Sequence, residues 1–114
     1  MAKECIFCKI YRREVPSPIL YDDGQAFAIR DIHPRAPVHL LIIPVRHFTY
    51  LTYLTEGMEQ MVGHLFTVAE EMAKREGLGA TGYRLVVNQG PNAGQEIEHL
   101  HMHLLGGKRL GPMG

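Results

Sequence analysis

The sequence has no excess of either charge: twelve Lys and Arg balance twelve Asp and Glu. A general electrostatic grip on nucleic acid or an anionic membrane needs a basic surplus, so neither is expected as a partner. Any phosphate must be held by local groups, such as imidazoles, backbone amides and a few Arg or Lys. No apolar run approaches the roughly 18–20 residues of a membrane span, and Met1-Ala2-Lys3-Glu4-Cys5 carries no apolar signal core. The expectation is a cytoplasmic protein. Cysteine is scarce: Cys5 and Cys8 are the only two, in a Cys-x-x-Cys spacing that reads in a reducing compartment as metal ligation or redox chemistry rather than a structural disulfide. A thioredoxin-like motif would open a helix after a βαβ-type strand, and only four residues precede this one. There is no internal repeat and no linker. With 46% hydrophobic and 21% charged residues, 114 residues fit one globular domain, residues 1–114.

What the sequence does contain is concentrated near its C-terminus, in His99-Leu100-His101-Met102-His103-Leu104-Leu105. Side chains alternate across an extended strand, so the three histidines share one face and Leu100, Met102 and Leu104 the other. A half-buried strand that only had to tolerate water would carry Thr, Ser, Lys or Glu on its polar face. Three imidazoles in a row point to metal binding, proton transfer or nucleophilic attack. The bland alternative is a surface strand that happens to be His-rich, but the interleaved large apolar residues argue against it.

The rest of the chain supplies a scaffold. Ile6, Phe7 and Ile10 recur at helical spacing and predict a short helix from Cys5 to Arg13, ended by Val15-Pro16-Ser17-Pro18. Ile19 to Tyr21 and Ala26 to Arg30 read as strands of a hairpin around Asp22-Asp23-Gly24. Val38-His39-Leu40-Leu41-Ile42-Ile43-Pro44 reads as a central strand buried on both faces. A histidine there needs a partner, and His39 is expected to reach the imidazole face rather than to serve only as a core hydrogen-bonder. Met58, Met61, Val62, Leu65, Ala69, Met72 and Ala73 form one stripe of a long helix from about Thr55 to Glu76, stopped by Gly77 and Gly79. His64, inside that helix, reads as a surface or interface residue without a chemical role. Tyr83 to Asn88 reads as another strand. Gln89 to Gln95 is a glycine-rich loop whose amides could approach an anion beside the histidines. The tail from Gly106 reads as irregular.

These residues are in a family's order. His99-x-His101-x-His103 with Leu104-Leu105 resembles the signature of the histidine triad superfamily, alternating His with apolar residues. Ile6-Phe7-x-Lys9-Ile10, Asp31-Ile32-x-Pro34-x-Ala36-Pro37-x-His39, Ile43-Pro44, Ala93-Gly94-Gln95 and Leu105-Gly106-Gly107 extend the resemblance over nearly the whole chain. It is most similar to the histidine triad nucleotide-binding branch, the purine nucleoside phosphoramidases. That implies an α+β fold: a five-stranded antiparallel sheet with one long and one short helix, continued across a homodimer.

The resemblance also implies roles. His101 would attack the α-phosphorus of a nucleoside 5′-phosphoramidate, forming a nucleotidyl-histidine that water hydrolyses to the nucleoside monophosphate. His103 and His39 would bind phosphate oxygens and assist proton movement, and His99 would orient His101 through its backbone carbonyl. Asn88, Gly94 and Gln95 would lie on the phosphate side. Asp31 would accept from the ribose hydroxyls, and Ile6, Phe7, Ile10, Ile29 and Ile32 would sandwich the purine. Glu96 stands where animal members carry a serine that contacts the leaving group, and an ionised carboxylate cannot donate that hydrogen bond. No cofactor is required by this chemistry. Some relatives bind structural zinc through residues that correspond to Cys5, Cys8, His47 and His99, while others lack the cysteines and fold without it. Two other readings stand beside the phosphoramidase: a dinucleoside polyphosphate hydrolase, and a nucleotide-binding or interaction protein with little turnover. A metal carrier would leave Asp31 and the segment from Leu40 to Pro44 unexplained.

Overall fold

Alternation along the strands sorts the chain onto two faces of one sheet. The computed structural model describes residues 5–114. Strands β1 (Tyr21–Asp22), β2 (Ala26–Arg30), β3 (Val38–Pro44), β4 (Tyr83–Val86) and β5 (Met102–Gly106) pair antiparallel in the order β1-β2-β3-β5-β4. Two α-helices, α1 (Ile6–Tyr11) and α2 (Glu59–Arg75), cover it. This is the expected five-stranded antiparallel α+β arrangement with one short and one long helix.

Ala26, Ala28, Leu40, Ile42, Leu100, Met102 and Leu104 pack against the α2 stripe of Leu65, Val68, Ala69, Met72 and Ala73. Val68 belongs to this stripe, while Met61 and Val62 lie at its half-buried margin. The opposite parity, Phe27, Ile29, Leu41 and Ile43, packs against Phe7 and Ile10 of α1. β3 is therefore buried on both faces, as its unbroken apolar run requires. Phe7 and Ile10 are also walls of the cavity described below.

Several boundaries differ from the sequence expectation: the short helix is trimmed to Ile6–Tyr11 and the first strand moves to Tyr21–Asp22. The long helix starts later, because Glu56–Met58 form a separate 3-10 turn before Glu59. Its end is a Schellman motif: the Leu78 N–H donates to Ala73 O at 2.8 Å and the Gly77 N–H to Lys74 O at 3.1 Å, with Gly77 left-handed at φ 76°. The strand expected from Tyr83 to Asn88 ends at Val86. The histidine strand begins only at Met102. β5 pairs Met102 with Ile42, so continued pairing would set Leu100 opposite Pro44, which has no N–H to donate. The Leu100 N–H donates instead to Phe48 O at 2.7 Å, so His99 and His101 follow a path set by the segment after β3.

The β1–β2 turn is tied down by one carboxylate. Asp23 Oδ1 accepts the Gln25 and Ala26 amides at 2.9 Å each, and Oδ2 accepts the Tyr21 hydroxyl at 2.8 Å and faces His64 Nε2 at 2.5 Å. His64, given no role from sequence, thus joins α2 to this turn. Partial burial opposes ionisation of Asp23, but the amides, His64 and the Tyr21 hydroxyl together hold the carboxyl well below the usual carboxylate range. A depressed folded pKa contributes stability in full above about pH 4, the unfolded value, and loses it as pH falls toward the folded one. Asp23→Ala is expected to lower unfolding free energy by about 1–2 kcal/mol at pH 7. In urea titrations the gap from wild type should narrow below about pH 4; a gap that does not change with pH would refute this assignment.

Candidate active site and metal cluster

The α1 side of the sheet opens into a cavity of about 810 Å³, within the range of small-molecule sites. Its lining includes His39, His101 and His103, Asp31 and Ile32, and Ile6, Phe7, Ile10, Ile29 and Leu41. Asn88, Gly94 and Glu96 approach from the glycine-rich loop. All the residues singled out in the sequence for a nucleotide therefore meet at one cavity, apart from Gln95. Its side chain is turned into its own loop: Oε1 accepts the Gly90 N–H at 2.8 Å, and Nε2 donates to Ile97 O at 3.3 Å and Thr49 O at 3.4 Å. Gln95 shapes the loop and does not line the cavity. Gly94, at φ 80°, takes a left-handed conformation that glycine adopts without strain.

Val15, Pro16 and Ser17 also line the cavity, a role their sequence did not signal, because they read as a helix terminator. Ile32 is 83% exposed at the rim, an apolar side chain with nothing yet to cover it.

The imidazoles are held by the main chain. The His101 ring pairs through Nδ1 with His99 O at 2.8 Å. A carbonyl only accepts, so Nδ1 carries the proton, and in the neutral ring Nε2 keeps its lone pair. Phe7 packs edge-on against this ring at 5.1 Å between centroids. His39 lies opposite Leu105 in the β3–β5 register, one pair from Leu41 and His103 on the same face. Its Nε2 is 2.9 Å from His103 Nδ1 and 3.4 Å from Asp31 Oδ2. Burial lowers the pKa of all three rings, that of His103 to about 4. Neutral imidazoles therefore line the cavity at pH 7, able to act as nucleophile and as hydrogen-bond donors.

His99 shares the histidine face but does not line the cavity. Its ring is fully buried in a second cluster, where Cys5 Sγ is 3.2 Å and Cys8 Sγ 3.8 Å from His99 Nδ1, and His47 Nδ1 is 3.5 Å from Cys8 Sγ. The four donor atoms lie within 4.8 Å of one another. His99 Nε2–H donates to Pro44 O at 2.8 Å, leaving Nδ1 unprotonated and aimed at the thiols. Burial and the neighbouring Cys5 push the Cys8 thiol up, opposed in part by the Arg12 guanidinium. Two sulfurs and two aromatic nitrogens are a closed tetrahedral donor set suited to zinc.

The comparisons with known proteins agree with this geometry. The HIT domain profile matches residues 12–110. The purine nucleoside phosphoramidase of Escherichia coli is 50% identical over 113 residues, which is 99% of this chain and 95% of that protein. The solved HIT family hydrolase of Legionella pneumophila superposes with a TM-score of 0.91 at 40% identity, covering 95% of this chain and 96% of that one. A Zn-bound histidine triad family protein from Mycobacterium smegmatis gives 0.79 at 31% identity over 92% of this chain and 76% of its own. With the imidazole cavity, the sheet and the sequence in agreement, the chain belongs to the HIT domain family.

Proposed function

We propose that the protein is a hydrolase that cleaves the P–N bond of purine nucleoside 5′-phosphoramidates, with aminoacyl-adenylates, split at their P–O bond, as further substrates. The observation that carries this reading is the His101 ring, whose proton is held on Nδ1 by the His99 carbonyl while Nε2 is left free at the cavity. It is supported by 50% identity over nearly the full chain to a purine nucleoside phosphoramidase.

In the proposed reaction His101 Nε2 attacks the α-phosphorus. The P–N bond to the amine breaks as a new P–N bond to the imidazole forms, and the amine leaves after taking a proton from water at the open mouth. The ring then carries positive charge, which the His99 carbonyl stabilises through Nδ1–H. Water next attacks phosphorus and gives a proton to the hydroxide left by the first step; the P–N bond to His101 breaks, its electron pair returns to Nε2, and nucleoside monophosphate is released with the ring restored. Splitting one displacement into two is the gain from a covalent intermediate, and such transfers depend mainly on positioning and charge stabilisation. His103 and Asn88 would hold phosphate oxygens beside Gly94, whose own N–H is donated to Pro91 O at 3.0 Å; Asp31 would hold the ribose hydroxyls, and Ile6, Phe7, Ile10, Ile29 and Ile32 the purine. Glu96, an exposed residue of the cavity lining, would face the leaving group.

We further propose that Cys5, Cys8, His47 and His99 hold a structural zinc ion that fixes the N-terminal segment to the core, with no part in the chemical step. Reduced thiols fit a cytoplasmic location, and no helix among the described residues is long and apolar enough to cross a membrane. A homodimer with a continuous sheet fits the outer edge of β4, which among the described residues pairs only with β5, and the exposure of Phe66 and Tyr83.

Steady-state hydrolysis of an adenosine phosphoramidate tests the catalytic assignment. His101→Ala should lose on the order of 10³-fold or more in kcat while still binding adenosine monophosphate. A wild-type protein that binds the monophosphate without turnover would support the binding-protein reading instead. Cleavage of dinucleoside polyphosphates in preference to phosphoramidates would support the other hydrolase. For the metal, elemental analysis should find about one zinc per chain. Cys8→Ser should lower both zinc content and Tm; metal-free wild type of undiminished stability would remove zinc from the account. Sedimentation should give twice the 12.9 kDa chain mass, and a monomer would exclude the shared sheet.

A further inference from the structure

His39 was expected from the resemblance to contact phosphate, but both of its ring nitrogens are already engaged. Nδ1 lies 3.0 Å from the backbone nitrogen of Arg35, and Nε2 lies 2.9 Å from His103 Nδ1. The direction of the first bond is fixed, because a peptide N–H can only donate. His39 Nδ1 must therefore hold a lone pair, which places the proton of the neutral ring on Nε2. That N–H then has two acceptors within reach, His103 Nδ1 and, at 3.4 Å, Asp31 Oδ2. His103 Nδ1 must in turn be the acceptor, and its own proton is left on Nε2, the nitrogen on the far side of the ring.

We infer that the Arg35 backbone amide and His39 form a positioning relay that fixes His103 as an Nε2–H donor toward the substrate phosphate. His39, 4% exposed, acts through His103 and does not itself touch the substrate. This rests on the phosphoramidase reading for its consequence, but not for its geometry. The relay makes two of the rings that line the cavity complementary: His101 presents a lone pair at Nε2 and His103 presents a proton. If His103 carried its proton on Nδ1, two lone pairs would face an anionic phosphate.

Two features support it. Burial lowers the pKa of His39, and that of His103 to about 4, so both rings have a single proton whose position matters. Arg35 also lies between Pro34 and Ala36-Pro37, and two prolines restrict the backbone that aims its amide. The relay also explains a competing grouping. Asp31, His39 and His103 are close enough to hold a metal ion, yet with Nδ1 committed to Arg35, His39 has no second lone pair to give one.

The test is two-bond ¹H–¹⁵N correlation on the full-length, uniformly ¹⁵N-labelled protein, with kinetics on an adenosine phosphoramidate. In wild type both His39 and His103 should be neutral and protonated on Nε2. His39→Leu removes the donor: His103 should become a mixture of tautomers, with kcat down about 10–100-fold and KM changed far less. His39→Gln returns an N–H near the position of Nε2. It should restore the Nε2–H form of His103 and recover most of the lost kcat. The relay is overturned by wild-type His103 protonated on Nδ1, by His39→Leu losing activity with the His103 tautomer unchanged, or by His39→Gln restoring the tautomer but no rate. The wild-type spectrum decides the geometry even if His39→Leu fails to fold. A wild type without phosphoramidase turnover would overturn the functional reading while leaving the tautomer result intact.

Discussion

The structure depends on a single kind of interaction, the bond between a buried imidazole and the backbone. His99 donates to the Pro44 carbonyl, His101 pairs with the His99 carbonyl, and His39 faces the Arg35 amide. A neutral imidazole has one proton and two nitrogens, so each backbone contact determines what the other nitrogen can do. His99 is left with a lone pair toward the thiols and His101 with one toward the cavity. The chemistry of the centre follows from which peptide groups the sheet brings beside which ring.

The sheet register supplies those peptide groups. Pro44 cannot donate to Leu100, so the ladder between β3 and the histidine segment stops at Ile42 and Met102. The chain before Met102 is then attached through Leu100 to Phe48 and through the His99 ring to Pro44. This break separates the three alternating histidines into two sites. His103 lies in the paired strand, His101 just outside it, and His99 far enough back to join Cys5, Cys8 and His47. The peptide linking His99 to Leu100 belongs to both sites, because its carbonyl holds the His101 ring while its residue's side chain faces the cysteines.

How much of this could be read in the sequence depended on periodicity. The two-residue repeat from His99 to Leu105 and the mixed run of β3 showed which residues share a face, and hence that His39 would meet the triad. The α2 stripe gave the other layer. Three things were hidden for physical reasons. Gln95 sits among cavity residues in the chain, but its amide is occupied by the Gly90, Thr49 and Ile97 backbone, a closure that only the folded loop creates. Val15 to Ser17 looked like a proline stop and became a cavity wall because α1 returns over the sheet. The Arg35 amide was invisible because a backbone donor has no side-chain signature.

Zero net charge and neutral imidazoles belong to the same solution. A nucleotide phosphate is anionic, and the obvious way to hold it is with fixed positive charge. Protonated histidines would provide that charge, but a protonated His101 has no lone pair and cannot attack. Burial resolves the conflict for the proposed reaction by lowering the pKa of the rings, that of His103 to about 4, so that they would meet a phosphate uncharged. Attraction must then come from oriented N–H groups, which act strongly where water is excluded and need no reorganisation during the reaction. An N–H dipole works only if it points the right way, and a neutral imidazole can point either way until something fixes its tautomer. The deeper the burial that keeps the proposed nucleophile neutral, the more the site depends on backbone groups to orient its protons.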